Sequence, residues 1–279
     1  MIIRRFPLTP TGLASALVIL VFILSACAGG SAPASSASSS NSGSGPAPVA
    51  SAGGSGTASA SDGNGDCINP LMPVVAGASW NYSFSSGAVS MTIAQSIPSV
   101  SASGFTKQVV YQMTGVDDTT QTGQWKCDRG ALTDINPLSS DYGYPNPKTT
   151  YQITSMVGSS LPASAKPGDS WSQTYTVLIT STAGSAPSQG RENVSESCNV
   201  IGTESVTVAA GTFDAMHITC KTSTSTVIDS TSQSAPSLYT SQTDDWYAAN
   251  IGLVKTNDQF SINQGKTNSS VLELTAYKK

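Results

Sequence analysis

The sequence predicts an all-β fold of antiparallel strands, and the prediction applies to residues 67–279. Polar and apolar residues alternate along this region with a period of two, which is typical of strands that bury one face. Ser, Thr, Val and Tyr are frequent there, and no useful window has the 3.6-residue periodicity of an amphipathic helix. We therefore expect a curved antiparallel sheet, an open barrel or a sandwich of roughly ten to twelve strands.

Residues 1–26 have the layout of a secretory signal peptide. Arg4 and Arg5 form a positive n-region, and residues 13–24 form an apolar run that is shorter than the roughly 20 residues of a membrane-spanning helix. The Leu-Ser-Ala-Cys sequence that follows and ends at Cys27 resembles the lipobox of bacterial lipoproteins.

The lipobox resemblance implies that the mature protein begins at Cys27, which carries acyl chains such as palmitate. Three acyl chains exceed the two membrane signals that stable anchoring requires. The next residue is Ala28 and not aspartate, which resembles the sorting pattern of outer-membrane lipoproteins. The resemblance thus implies a cell-envelope protein, lipid-anchored in the outer membrane and facing the periplasm or the surface.

Residues 27–66 form the predicted tether between the lipid and the β-domain. After Cys27 they are almost wholly Ala, Ser, Gly, Pro and Asn, without an aromatic residue. Such a segment cannot bury enough apolar surface to offset its chain entropy, so we expect it to be disordered. Its mean reach is about 35 Å, which would leave the domain free to work away from the membrane.

Strand alternation is clearest in three stretches of the β-domain. In SWNYSFSS the aromatic residues Trp80, Tyr82 and Phe84 alternate with Asn and Ser, so they should share the buried face. The stretches SWSQTYTVLIT and SSVLELTAY, which begin at Ser170 and Ser269, follow the same pattern.

An internal repeat would divide the β-domain into two halves. The Gly-x-Ser-Trp sequence of residues 77–80 recurs at residues 168–171, each time before an alternating strand. A second tryptophan with a Gly-Leu pair behind it follows in each half, within residues 125–132 and 246–254. Chance recurrence in a chain rich in Ser and Gly is the alternative.

Four cysteines remain besides the lipobox residue, and an even number in an exported protein indicates two disulfides. They are Cys67, Cys127, Cys198 and Cys220. The chain has no CxxC pair, so the short ligand spacing of a zinc site is absent. Three connectivities are open to four cysteines.

A predicted hairpin favours one of these connectivities. Gly211 can take the positive φ of a tight turn, and the flanking residues alternate as strands do. Cys198 and Cys220 are equidistant from that turn, so they would face each other across the ladder with Cα atoms about 4.5 Å apart, within reach of a disulfide. Cys67 and Cys127 would then form the second bond.

The single histidine, His217, has Asp214 and Cys220 as neighbours, which raises the question of a thiol nucleophile or a metal site. Alternate residues of a strand point to opposite faces, and His217 and Cys220 would lie about 10 Å apart along the strand. A nucleophile needs its base within about 3 Å, and oxidation of Cys220 would remove the thiolate. We expect His217 to face solvent without a catalytic role.

No other catalytic set is indicated. A G-x-S-x-G nucleophile elbow is absent from the chain. The adjacent carboxylates Asp117-Asp118 and Asp244-Asp245 would point apart in a strand or be solvated in a turn. We therefore assign no catalytic, cofactor-binding or metal-ligating residue and predict a non-enzymatic protein without a cofactor. The acidic excess, 17 residues against 13 basic ones, argues against a nucleic-acid partner.

Three motifs resemble the TapB-like group of bacterial secreted and lipoprotein domains. They are GASWNYS near residue 80, VTVAAGTFDAMHI at 206–218 and WYAANIGLVKT at 246–256, and the resemblance covers most of residues 70–279. It implies a curved antiparallel sheet or open barrel, similar to periplasmic lipoprotein carriers whose concave face holds acyl chains. The matching residues look architectural, so the resemblance implies no catalytic role.

The leading functional hypothesis is an outer-membrane-anchored lipoprotein whose β-domain binds a hydrophobic ligand or an envelope protein, or assists envelope assembly. A structural or surface-adhesion lipoprotein is the first alternative and would have a closed, filled interior. A carbohydrate-active enzyme is the second and would need clustered carboxyl groups roughly 5–10 Å apart in a cleft.

Overall fold

A single antiparallel sheet of twelve strands makes up nearly all of the part of the chain that the structure, a computed structural model, describes. That part comprises residues 65–136, 149–182, 188–229 and 236–279. The chain divides into two units, Met1–Asp62 and Gly63–Lys279, and every described residue belongs to the second. The predicted signal peptide and nearly all of the predicted tether, with Cys27, lie outside the described residues.

The strands follow a 3-10 helix at Gly65–Cys67. They are β1 (Ser79–Ser86), β2 (Val89–Ser101), β3 (Gly104–Gln112), β4 (Thr119–Asp128), β5 (Ala131–Asp134), β6 (Thr149–Gly158), β7 (Ser170–Ser181), β8 (Ser188–Val208), β9 (Gly211–Asp229), β10 (Ser237–Ala248), β11 (Gly252–Ile262) and β12 (Asn268–Lys278). No helix in these ranges is long and apolar enough to cross a membrane.

The order of the strands curls the sheet into a nearly closed barrel. It runs β5-β4-β3-β2-β1-β12-β11-β10-β9-β8-β7-β6, so β1 pairs with β12 and the two edges are β5 and β6. An antiparallel bridge between Leu132 in β5 and Leu161 just after β6 joins the edges at one point. The all-β prediction and its open-barrel variant are confirmed.

The strand order contains two consecutive groups of six strands, β12-β1-β2-β3-β4-β5 and β6-β7-β8-β9-β10-β11. The corresponding Gly-x-Ser-Trp sequences enter β1 and β7 in the same way. Gly77 has a φ of 86° and Gly168 a φ of 90°. The Gly77 N–H donates to the Ile97 carbonyl at 2.8 Å, and the Gly168 N–H donates to the Val200 carbonyl at 2.9 Å. This shared geometry supports the predicted internal repeat.

Residues 65–78, which we call the end plug, close one end of the barrel. The Gly130 N–H, in the β4–β5 turn, donates to the Asp66 carbonyl, and the Asn250 N–H, in the β10–β11 turn, donates to the Pro70 carbonyl. Asn69 is buried and its Nδ2 donates to the carbonyls of Gly130 and Pro162 at 2.7 and 2.8 Å. The end plug therefore ties several separate loops together, and we call this the closed end.

Two disulfides reinforce the barrel, and their pairs are those favoured from the sequence. Cys67 bonds Cys127, which fastens the end plug to β4. Cys198 bonds Cys220 across the β8–β9 ladder, with Cα atoms 4.1 Å apart.

The β8–β9 hairpin reaches past its neighbours at the closed end. Gly211 starts β9 with a φ of 138°, as the predicted turn requires. The Ala210 N–H donates to the Leu274 carbonyl of β12 at 3.1 Å, and Phe213 lies edge-to-face against Tyr277. The hairpin tip thus packs against a strand that is three positions away in the sheet.

Candidate functional site

The inner face of the barrel carries carboxylates, and β8 shows why. Burial alternates along this strand, and the inward positions include Glu192, Val194, Glu196 and Cys198. Two carboxylates therefore lie in phase with a valine and a disulfide. Glu192 is only 3% exposed, and its Oε2 accepts a hydrogen bond of 2.9 Å from Thr226 of β9.

Asp245 of β10 lies on the same inner face. Its Oδ1 accepts a hydrogen bond of 2.7 Å from Thr256 of β11, and its Oδ2 accepts one of 3.5 Å from Thr243. Burial, and to a lesser degree the nearby charges of Glu196 and Asp258, raise the pKa of Asp245 to about 7. The hydrogen bonds from the two threonines only partly oppose this rise, so Asp245 can hold a proton near neutral pH.

Glu196 and Asp258, whose charges act on Asp245, complete with it a cluster that we call the acidic patch: Glu196, Asp245 and Asp258. Burial raises the pKa of Asp258 to about 6 and also raises the pKa of Glu196, whose Oε2 accepts a hydrogen bond of 3.2 Å from Thr222. Oδ1 of Asp258 is buried and has no hydrogen-bond partner among the described residues. The acidic patch can therefore accept a further hydrogen bond, at Oδ1 of Asp258.

Two tyrosines, Tyr82 and Tyr247, lie on the inner face together with the acidic patch. The Tyr82 hydroxyl donates to the Leu253 carbonyl at 3.1 Å, and burial raises its pKa. Burial also raises the pKa of Tyr247, and the charge of Asp245 adds to that rise. Tyr82 is buried, whereas Tyr247 and Asp245 are half-buried although both point inward. Solvent therefore reaches part of the inner face.

The inner face of the other half of the barrel is mostly apolar. Phe84 of β1 lies opposite Met91 of β2 and Leu272 of β12, and these half-buried side chains pack on the core together with Tyr111. The inner face is thus mostly apolar along β12 and β1–β3, and it is acidic along β8–β11. Lys107 of β3 is a basic exception on the apolar side, with its Nζ 5.7 Å from the centre of the Trp125 ring. The acidic side arises because inward positions of β8, β10 and β11 carry Glu and Asp.

His217 lies on the opposite face of β9 from Cys220, as expected, but it does not simply face solvent. Its side chain is 20% exposed, with Nε2 2.9 Å from Asp244 Oδ1 and Nδ1 3.4 Å from Glu204 Oε1. The ring stacks on Trp246 at 4.7 Å between centroids, and the Trp246 indole N–H donates to Glu204. Carboxylates face both ring nitrogens from opposite sides, so His217 cannot serve a nucleophile, nor can the three groups share one metal ion.

The two adjacent acidic pairs fall in different environments. Asp118 follows β3 and accepts a hydrogen bond of 2.9 Å from Gln112 at the surface. Asp244 and Asp245 point to opposite faces of β10, as expected. Within the described ranges no group of three or more His, Cys, Asp or Glu side chains is arranged to hold a metal ion.

The acidic patch was missed in the sequence because its members come from different strands. Adjacency along the chain pairs Asp245 with Asp244, whereas register brings Asp245 opposite Thr256. The sequence of β8 does hold one signal for inward acids. Glu192 and Glu196 are separated from Cys198 by even numbers of residues, so all three lie on the same face of the strand. An acid in phase with a half-cystine points inward.

Comparison with known proteins places the chain in a family. A family model described as DUF3108-like matches residues 85–272, so the chain belongs to the DUF3108-like family. The narrower TapB-like resemblance stays a prediction. No curated protein matches the chain significantly.

Two solved structures share the fold. A candidate lipoprotein from Parabacteroides distasonis is 19% identical, with a TM-score of 0.53, and the match covers 76% of this chain and 100% of that protein. A candidate exported protein with a YmcC-like fold from Bacteroides fragilis is 14% identical, with a TM-score of 0.51 and the same coverage.

Proposed function

We propose that the protein is a lipoprotein of the cell envelope, anchored in the outer membrane through Cys27, whose β-domain is a non-enzymatic binding module with its ligand site inside the barrel. The half-buried inner face carries this proposal, because a barrel interior that water reaches is a common place for a ligand. A filled interior, as a purely structural or adhesive lipoprotein would have, accounts less well for the half-buried Tyr247 and Asp245.

The two sides of the interior suit an amphipathic ligand. The apolar side around Phe84 and Leu272 would take an acyl chain or an apolar side chain. The acidic patch would take a group that donates hydrogen bonds or carries positive charge, and Oδ1 of Asp258 has no partner of its own among the described residues. An acyl chain with an amine or amide head group and a peptide with a basic residue both have this chemistry.

Native mass spectrometry of the full mature chain purified from a bacterial envelope tests ligand binding. We expect a co-purifying molecule that is lost in a Phe84→Asp variant, because the charge would occupy the apolar side. Ser83→Asp is the matched control, since Ser83 is the neighbouring residue of β1 and points outward. Wild-type protein without any bound molecule would contradict the proposal.

Metabolic labelling with a fatty acid tests the proposed lipid anchor at Cys27 separately from ligand binding. Growth with a radiolabelled or alkyne-bearing fatty acid should label the wild-type chain and leave a Cys27→Ser variant unlabelled. An unlabelled wild-type chain would exclude the anchor while leaving ligand binding in the interior to be judged separately.

A carbohydrate-active enzyme is the second candidate, and one observation favours it. Asp245 has a pKa of about 7 beside other carboxyl groups, as a general acid requires. Incubation of the protein with peptidoglycan and envelope polysaccharides, followed by product analysis, decides between the two. Cleavage that disappears in Asp245→Asn would establish the enzyme, and its absence at every pH from 4 to 8 favours the binding module.

A further inference from the structure

Four large apolar side chains are exposed around the closed end of the barrel. They are Ile68, Val75, Ile201 and Tyr277, with 69%, 44%, 58% and 40% of their surface accessible. Ile68 and Val75 belong to the end plug, Ile201 lies in β8 beside the loop that enters β7, and Tyr277 lies at the end of β12. All four therefore lie at the same end of the sheet.

The end plug is apolar on both of its sides. Leu71, Met72 and Val74 are buried beneath it and join the core, which explains their apolar character. Ile68 and Val75 are not part of the core and expose 69% and 44% of their surface. Their exposure needs another explanation, because a large apolar side chain in water gains stability when a second surface covers it.

Charge is distributed unevenly between the closed end and the rest of the domain. Five of the ten basic residues in the described ranges lie at the closed end, against six of the fifteen acidic ones, so this end is close to balanced while the remainder is acidic. The basic residues are Lys126, Arg129, Lys166, Lys278 and Lys279, and the acidic residues are Asp66, Asp128, Asp134, Asp169, Glu204 and Asp214.

The chain enters the described part of the domain at this same end. Gly65 starts the end plug, and the Asp66 N–H donates to the Ala102 carbonyl in the β2–β3 turn. The 37 residues between Cys27 and Gly65 precede this point, so the predicted lipid anchor is attached to the closed end.

We propose that the closed end docks on the surface of the phospholipid bilayer, a proposal that rests on the anchoring proposed above. Ile68, Val75 and Ile201 insert among the head groups, and Tyr277 sits at the interface, where tyrosine is favoured. The five basic side chains lie near the lipid phosphates. The acidic remainder of the domain is repelled by anionic lipid, which fixes one orientation with the other end of the barrel pointing away from the membrane.

Vesicle flotation tests the docking without the anchor. The full mature chain carrying Cys27→Ser, and hence no acyl group, is mixed with vesicles of phosphatidylethanolamine and phosphatidylglycerol. We expect it to float with the vesicles, and we expect Ile68→Asp to lower its partition coefficient roughly tenfold. Ile228→Asp is the matched control, since Ile228 is also exposed but lies at the far end of β9, and it should leave binding unchanged.

Amide hydrogen exchange on the same vesicles adds a second measurement. Exchange in residues 65–78 should slow, whereas exchange at the β1–β2 turn, at the opposite end, should not. A Cys27→Ser chain that stays with the soluble fraction, or equal losses in Ile68→Asp and Ile228→Asp, would overturn the docking. Neither result would bear on ligand binding inside the barrel, because the vesicle test does not involve the ligand.

Discussion

Thr256 donates a hydrogen bond of 2.7 Å to Oδ1 of Asp245 on the inner face of the barrel, where Asp245 is half-buried. The hydroxyl groups of Thr256 and Thr243 do not replace the water that a carboxylate loses on burial. The pKa of Asp245 therefore rises to about 7 from an ordinary value of 3.8, and this rise makes the stability of the fold depend on pH.

Stability should fall as the pH rises from about 4 to about 7. In this window the folded protein keeps the proton of Asp245 while the unfolded chain has released it, so the free energy of unfolding decreases with pH. Asp245→Asn should remove a loss on the order of 4 kcal/mol at pH 8 and flatten the profile. Urea unfolding at several pH values measures this, with the exposed Asp128→Asn as control. Parallel profiles for wild type and Asp245→Asn would contradict the assignment.

His217 should contribute to stability and not to catalysis. His217→Ala removes the stack on Trp246 and the hydrogen bond to Asp244, which together should cost about 1–3 kcal/mol. His217→Phe should recover part of this loss, because the ring stack is retained. Thermal unfolding followed by near-ultraviolet circular dichroism measures both variants, and an unchanged melting temperature in His217→Ala would show that the contacts are dispensable.

The two disulfides should stabilise the fold by different amounts. Cys67 and Cys127 are separated by 60 residues and Cys198 and Cys220 by 22, so the chain-entropy model gives about 4 and about 3 kcal/mol. Replacing each pair with alanine and comparing urea midpoints tests the order. A larger loss for the hairpin pair would indicate that strain or residual structure, and not loop length, decides their contributions.

Asn69 should be the single polar residue on which the end plug most depends. Its side chain donates to two carbonyls and accepts from the Leu71 and Met72 N–H groups, so Asn69→Ala leaves buried backbone groups unpaired. We expect a loss of about 2–4 kcal/mol and faster amide exchange in residues 65–78. Asn199→Ala, at an exposed position of β8, is the control and should leave both measurements unchanged.

Features that depend on local pattern could be predicted from the sequence. The alternation of polar and apolar residues predicts the strands, and Gly211 predicts the turn between β8 and β9. The position of that turn then predicts the Cys198–Cys220 bond. Each depends on residues that are close along the chain, so strand periodicity and turn chemistry suffice.

Features that depend on strand register could not be predicted in the same way. His217 meets Asp244 across a ladder and Glu204 across another, and the sequence does not state which positions will be opposite each other. The same holds for Asp245 and Thr256. A one-residue shift in register would reverse the face of every side chain in a strand, so the inner acidic patch emerges only once the pairing of β8 to β11 is known.

The Cys67–Cys127 bond also determines how the domain would respond to mechanical tension. A pull on the predicted tether reaches its first covalent attachment at Cys67, just after the hydrogen bonds of Asp66, and passes through the disulfide into β4. The force therefore bypasses residues 68–78 and the start of β1, which a pull from the N terminus would otherwise peel from the sheet. An oxidised domain should resist traction from the membrane side by shearing whole strands, whereas a reduced one should unzip from the end plug at lower force.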